Sequence, residues 1–225
     1  MADTYNEKIQ KNLHKVLAIN HLSESTFVLR FERKNLPFKP GQHIGVGPEN
    51  STYTREYSVY SGVDDDYLEI LVKEVLNGFI SPILKNLKPG DFIQVEEPRG
   101  YFSLPTGWTP EERFLFIATG TGIAPFHSFV KSNTGLNYTL FHGISTTSET
   151  CQPNFYPPER LILCTSRENQ PSIFQGRVTD LLKTYSLGEI SRIYLCGNVN
   201  MINDVYDILG KGIFPIDKIH SEVYF

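Results

Sequence analysis

A change of pattern across Ser103-Leu-Pro-Thr-Gly-Trp-Thr-Pro110 divides this chain into two kinds of polypeptide. Ahead of it, apolar-rich or alternating runs at 14–19, 26–31, 43–46, 57–60, 68–75 and 92–95 are separated by Pro40-Gly41, Gly47-Pro48, Asp64-Asp65-Asp66 and Pro89-Gly90. Short alternating runs, punctuated by turn residues at nearly regular spacing, predict an antiparallel barrel. A helical stretch from Ser81 to Leu87 interrupts them, with Ser81 as its expected N-cap and Pro82 at the first helical position. Beyond the segment, compact apolar strands at 114–117, 138–142, 161–164 and 193–196 alternate with helical stretches at 123–130, 177–185 and 201–209. That alternation predicts a parallel sheet with helices on its faces. The chain thus reads as β followed by α/β, with residues 1–105 as the barrel and 106–225 as a dinucleotide-fold unit.

The 225 residues, 40% of them hydrophobic, suffice for two modest cores. A net charge of −4 and the lack of a basic run argue against nucleic-acid binding. The opening MADTYNEKIQKN is polar, unlike a signal peptide, and no run approaches the ~20 apolar residues of a membrane span. Cys151, Cys164 and Cys196 form no CxxC pair, which disfavours zinc and iron–sulfur clusters. The expectation is a soluble, cytoplasmic, reduced protein without a metal.

Several short motifs carry chemistry. In Thr54-Arg55-Glu56-Tyr57-Ser58-Val59, strand alternation sends Arg55 and Tyr57 the same way, with Ser58 opposite them or at the strand end. A guanidinium suits a diphosphate, a tyrosine ring a flat cofactor, and a hydroxyl the polar edge of that cofactor. Gly78-Phe79-Ile80-Ser81 brings a glycine turn to a helix start, a second place for phosphate. Gly120-Thr121-Gly122-Ile123-Ala124-Pro125 sits where a strand hands over to a helix, although Pro125 stands where the dinucleotide fingerprint has its third glycine. Ser166, Arg167 and Arg177 follow the 161–164 strand and could hold a ribose 2′-phosphate; an ordinary solvated Arg167–Glu168 pair is the competing account. Cys196-Gly197-Asn198 ends the next strand, and Ser221-Glu222-Val223-Tyr224-Phe225 ends the chain in two aromatics that either complete a core or cover something flat.

Taken together and in this order, the motifs resemble those of the ferredoxin–NADP reductase family in its compact bacterial form. The resemblance spans essentially the whole chain: Arg55-Glu56-Tyr57-Ser58 as the RxYS flavin motif, Gly78 to Ser81 as GxxS, then Leu87-Lys-Pro-Gly-Asp91, GTGIAP from Gly120, SRE from Ser166, CGN from Cys196 and the terminal EVYF. It implies a Greek-key FAD barrel followed by a Rossmann-like NADP domain, with FAD held non-covalently and NADP(H) as co-substrate. It further implies that Arg55 binds the FAD pyrophosphate with the N–H groups of Phe79 to Ser81. Tyr57 would stack on the isoalloxazine, Ser58 would approach N5, and Leu71 and Val72 would line the ring. Tyr224 would cover the opposite face, with Phe225 beyond it. Thr121, Cys196 and Glu222 would frame the nicotinamide, Gly120, Gly122, Gly197 and Asn198 would shape its pocket, and Ser166, Arg167 and Arg177 would hold the 2′-phosphate. Ser58, Cys196, Glu222 and Tyr224 are the expected catalytic set, as supporting groups and not as a nucleophilic triad.

The implied activity is electron transfer between NADP(H) and ferredoxin or flavodoxin, by a monomer. An oxygenase reductase component, a diaphorase or flavin reductase, and a non-catalytic electron-transfer subunit are the alternatives. Lys8, Lys11, Lys15, Arg33, Lys34 and Lys39 are the candidate basic patch for an acidic carrier. Two departures stand out. Ser145 follows His142-Gly143-Ile144 where many bacterial members have an arginine, and the proline-bearing run between Thr146 and Glu159 is ill suited to the helix usual there.

Overall fold

The computed structural model describes residues 12–49, 51, 53–171, 173–210 and 212–224. It divides into two compact units: one reaches Ser103 and includes His127–Ser132, and the other takes in Leu104–Phe126 and the chain from Asn133.

In the first unit, strands β1 (Leu13–His21), β2 (Thr26–Glu32), β3 (His43–Pro48), β4 (Arg55–Ser58), β5 (Tyr67–Lys73) and β6 (Phe92–Val95) form an antiparallel sheet in the order β4-β3-β6-β1-β2-β5. A bridge between Val59 and Ile70, with Tyr60 N–H on the Glu69 carbonyl at 2.7 Å, joins the chain beyond β4 to β5. These are the two ends of the sheet, so it closes into the expected barrel and removes its own edges. A register shift in β1 between Val16 and Ala18 bends that strand. Inside lie Phe27, Leu29, Phe31, Ile44, Val46, Leu68, Ile70 and Val72. The stretch His127–Ser132 packs with this unit. The His127 ring stacks on Tyr60 with centroids 3.9 Å apart, Ser128 Oγ donates to the Ser61 carbonyl at 2.8 Å, and Lys131 pairs with Asp65 at 2.7 Å.

The helix α1 spans Ser81–Lys85, and its N-cap is Ile80, not Ser81. The Ser81 hydroxyl has another use: it accepts the N–H of Val75 at 2.9 Å, closing the glycine turn. A backbone donor six residues back in the chain outcompetes the helix's own N–H groups for the hydroxyl here, which a residue-by-residue reading of cap signals does not capture. Two more expectations shift. Strand pairing at 57–60 moves back to β4, since Arg55 and Glu56 pair with Val46 and Gly45. Arg33 is not a surface cation free for a carrier: its guanidinium donates to the carbonyls of Val63, Asp65 and Leu36, tying two turns together. Lys34 bonds the Leu13 carbonyl, Lys15 and Lys39 are exposed, and Lys8 and Lys11 lie outside the described residues.

In the second unit, β7 (Arg113–Thr119), β8 (Asn137–Ile144), β9 (Leu161–Thr165), β10 (Phe174–Gln175), β11 (Arg192–Asn198) and β12 (Ile219–Tyr224) form a parallel sheet ordered β10-β9-β8-β7-β11-β12. The chain starts in the middle at β7, builds outward to β10, then returns to β11 on the other side. Strand order therefore reverses between β7 and β11, the place where open α/β sheets bind ligands at their carboxyl ends. The 3₁₀ turn Gly120–Ile123 leads into α2 (Ala124–Ser132), with α3 (Val178–Thr184) and α4 (Val199–Leu209) following later. Leu115, Ile117, Phe141, Leu195 and Val205 fill one face of the sheet. On the other, Phe116 stacks on Phe126 at 4.8 Å. Being buried on both faces is why β7 reads as an unbroken apolar run. Between β8 and β9 lie two 3₁₀ turns, Thr147–Glu149 and Pro153–Phe155, where the prolines exclude a helix. The last described stretch is anchored in the sheet: β12 pairs with β11 from Ile219 opposite Ile193 to Tyr224 opposite Asn198.

Candidate functional site

Two surfaces carry the motif residues, one in each unit. In the second unit, the ends of β7 and β11 are pressed together. A Cβ on Gly122 would stand 2.4 Å from the Cys196 carbonyl oxygen, and one on Gly197 would stand 2.3 Å from Thr119 Oγ1. Gly197 also has φ +132°, which side-chain-bearing residues rarely adopt. The contact is locked by Thr119, whose Oγ1 accepts the Asn198 N–H at 2.9 Å. The Gly120 position is the reverse case: at φ +53° a Cβ there would meet nothing within 4 Å, so the turn faces open space.

The Cys196 thiol is fully buried and hydrogen-bonded to the Tyr224 hydroxyl. Burial first, and the neighbouring Glu222 carboxylate second, push its pKa well above the ordinary thiol value. It therefore stays a neutral thiol and has no nucleophilic role. Strand register sets Glu222 beside Cys196, and alternation sends Glu222 and Tyr224 to the same face. Phe225 lies outside the described residues.

At the ends of β8 and β9, two loops are laced together. The N–H groups of Ser166 and Arg167 donate to the carbonyls of Ile144 and Ser145 at 3.3 and 3.1 Å. The Glu168 carboxylate accepts the Thr147 N–H at 2.6 Å and the Gln170 amide at 2.9 Å, and these bonds hold its pKa below the usual carboxylate value. Glu168 thus faces the Thr147 turn, and no ion pair with Arg167 forms. Asp180 accepts the backbone N–H of Arg177 and pairs with Lys183. The Arg167 and Arg177 guanidinium groups, with Ser166, are exposed and make no ion pair among the described residues.

In the first unit, Arg55 and Tyr57 share a face of β4, opposite Val46 and Ile44. Burial raises the Tyr57 phenol to about 12, against a smaller lowering by the Arg55 charge, so it stays neutral. Ser58 is buried on the other face. Val72 points into the barrel core, which leaves its backbone and not its side chain for lining a ring; Leu71 points the opposite way. Around the Gly78 turn, Leu76, Phe79 and Tyr53 are 84%, 63% and 67% exposed, and the last two rings meet edge-on at 6.3 Å. The N–H groups of Phe79 and Ile80 have no partner among the described residues. The exposed Arg55, whose guanidinium reaches only the Thr54 carbonyl (3.1 Å) among the described residues, the two unused N–H groups and the bare aromatic surface fit a bound group with phosphates and flat rings.

The matched families agree with this geometry. A family described as oxidoreductase FAD-binding domain matches residues 13–104, and one described as oxidoreductase NAD-binding domain matches residues 116–207. The chain is 29% identical to the flavodoxin/ferredoxin–NADP reductase of Escherichia coli over 84% of its length and 86% of that relative's. It is 25% identical to the ferredoxin–NADP reductase of Azotobacter vinelandii over 88% of both. The chain belongs to the ferredoxin/flavodoxin–NADP reductase family. Its fold superimposes with a TM-score of 0.86 on a ferredoxin NADP+ reductase of Neisseria gonorrhoeae solved with bound FAD and NADP, at 24% identity and over 95% and 98% of the two chains. As a member of this family it is an FAD-dependent oxidoreductase with a nicotinamide-nucleotide domain.

Three residues escaped the sequence reading. Thr119 precedes the glycine turn, and its only signal was its place at a strand end. His142 donates to the Gly120 carbonyl from a neighbouring strand, and Glu168 entered only in the competing account, as a solvated partner for Arg167. Among the described residues, no cluster of His, Cys, Asp or Glu could hold a metal ion, and no helix is long and apolar enough to cross a membrane.

Proposed function

We propose that this reductase moves electrons between NADP(H) and ferredoxin or flavodoxin, as a cytoplasmic monomer, with residues 1–105 as the FAD domain and 106–225 as the NADP domain. Bound FAD would supply the conversion between hydride and single-electron transfer. Arg55 and the N–H groups of Phe79, Ile80 and Ser81 would neutralise its pyrophosphate, with Gly78 allowing the close approach. Tyr57 would support one face of the ring system as an uncharged phenol, with Leu71 and the Val72 backbone beside it. Ser58 would offer its hydroxyl at the N5 edge.

On the nucleotide side, Gly120, Thr121 and Gly122, pressed against Cys196, Gly197 and Asn198, would seat the nicotinamide half. Glu222 would orient it through its carboxylate. Tyr224, with Phe225 after it, would shield the ring until the nicotinamide displaces it. Ser166, Arg167 and Arg177 would hold the 2′-phosphate without the further arginine that Ser145 replaces. Most of the catalysis would then be the positioning of two flat rings.

The observation that carries the NADP reading is the pair of exposed guanidinium groups at 167 and 177, which make no ion pair among the described residues, with Ser166 exposed next to Arg167 and Glu168 bonded to the Thr147 N–H. Purified protein reconstituted with FAD should reduce ferricyanide with NADPH at a higher kcat/KM than with NADH, and should pass electrons to a ferredoxin or flavodoxin in a coupled cytochrome assay. Equal use of NADH would remove the 2′-phosphate assignment. Reduction of neither carrier would favour the diaphorase reading.

A further inference from the structure

We propose that His142 is a positioning residue for the nicotinamide nucleotide, acting through the Gly120 peptide without touching the ligand. The inference rests on the nucleotide reading above. His142 lies in β8, paired with Ala118 and Leu163 in the neighbouring strands, and is fully buried. Its Nε2 is 2.9 Å from the Gly120 carbonyl oxygen. A carbonyl only accepts, so Nε2 carries the proton and Nδ1 is an acceptor. That Nδ1 is buried and has no hydrogen-bond partner among the described residues. An interior sheet position filled by leucine would avoid this cost, so the imidazole is a poor choice for stability alone. What it provides is one donor at one place.

The consequence follows from the planarity of the peptide. In a trans peptide the C=O and the following N–H point in opposite directions. Drawing the Gly120 carbonyl back onto His142 therefore turns the Thr121 N–H away from the sheet, toward the side where Gly120 meets nothing within 4 Å. The positive φ of Gly120 permits that orientation, and the Thr121 N–H donates to no described residue. His142 thus aims a backbone donor at an acceptor oxygen on the nicotinamide or pyrophosphate half of the nucleotide. The 2′-phosphate residues after β9 stand two strands away from β7, about 10 Å at the usual strand spacing, and lie beyond its reach.

The test uses FAD-loaded protein carrying His142→Leu, His142→Gln or His142→Asn. Equilibrium titrations use NADP+ and 2′,5′-ADP, which lacks the nicotinamide half, and thermal unfolding is followed alongside. For His142→Leu, the NADP+ Kd should rise about 10-fold, the worth of one well-placed hydrogen bond, while the 2′,5′-ADP Kd stays unchanged and the melting temperature is equal or higher. The Gln amide reaches the carbonyl and should restore most of the NADP+ affinity; the shorter Asn should not. If the leucine variant fails to fold, the Gln and Asn comparison decides. Equal weakening of both ligands, unchanged NADP+ binding, or no difference between Gln and Asn would overturn the proposal. Wild-type protein that binds neither ligand would instead refute the nucleotide reading on which it rests.

Discussion

Acid should destabilise both units of this protein, and buried histidines set the size of the effect. His127 stacks on Tyr60 and is 2% exposed; burial, with the Lys131 charge adding to it, lowers its pKa to about 3. His142, in the other unit, is lowered to about 4 by burial, against smaller opposing effects of its bond to Gly120 and the Glu149 charge. Unfolding returns each imidazole to the ordinary value of 6.5, so below that pH the unfolded chain binds more protons than the folded one. Stability is then complete above pH 6.5 and falls as the pH is lowered toward the folded values. Between pH 7.5 and pH 5 the loss is roughly 2 kcal/mol for each histidine, together a large part of the 5–15 kcal/mol that typically holds a domain folded. The assay is urea unfolding at both pH values with FAD in excess, comparing the wild type with His127→Phe. Phenylalanine keeps a ring against Tyr60 and removes the titration. Because each protein serves as its own reference, any constant loss from the substitution cancels. The variant should lose roughly 2 kcal/mol less than the wild type on acidification. If both lose the same amount, the buried neutral histidine is not the cause.

Other perturbations test the proposed site. Gly197→Ala forces a Cβ to within 2.3 Å of Thr119 Oγ1 at φ +132°, and should cost about 2–4 kcal/mol in chemical denaturation. Tyr224→Ser should tighten NADP+ binding in a difference-spectrum titration and slow turnover; no change in either would remove the shielding role. Arg167→Ala should raise the KM for NADPH about 10-fold and leave that for NADH unchanged in a diaphorase assay, since a charge-assisted bond to the 2′-phosphate is lost.

The fold was legible because its signals are local. Side-chain periods of two ahead of Ser103 and strand–helix alternation after Pro110 each follow from backbone geometry over a few residues, and they placed the six strands of the first unit and β7, β8, β9 and β11 of the second. Gly120, Gly122 and Gly197 were legible too, as glycines at strand ends. The Ser81 cap was misread for a related reason: a cap signal is local, whereas the partner that took the hydroxyl, the Val75 N–H, is set by the turn as a whole. In the same way Arg33 looked like a surface charge until the turns at Leu36 and Val63 closed around it.

By itself the sequence determined that a closed barrel precedes a parallel sheet, and which motifs stand at strand ends, because periodicity and turn chemistry are properties of neighbouring residues. Only the tertiary structure decided how those ends are held. Thr119 fastens Asn198 from 79 residues away, His142 holds the Gly120 carbonyl across 22, and Glu168 turns from Arg167 to the Thr147 N–H across 21. Each of these bonds joins adjacent strands or their loops, and adjacency in a sheet is fixed by strand order. The reversal between β7 and β11 brings Cys196 and the chain terminus beside the glycine turn, and no local pattern in the chain records it.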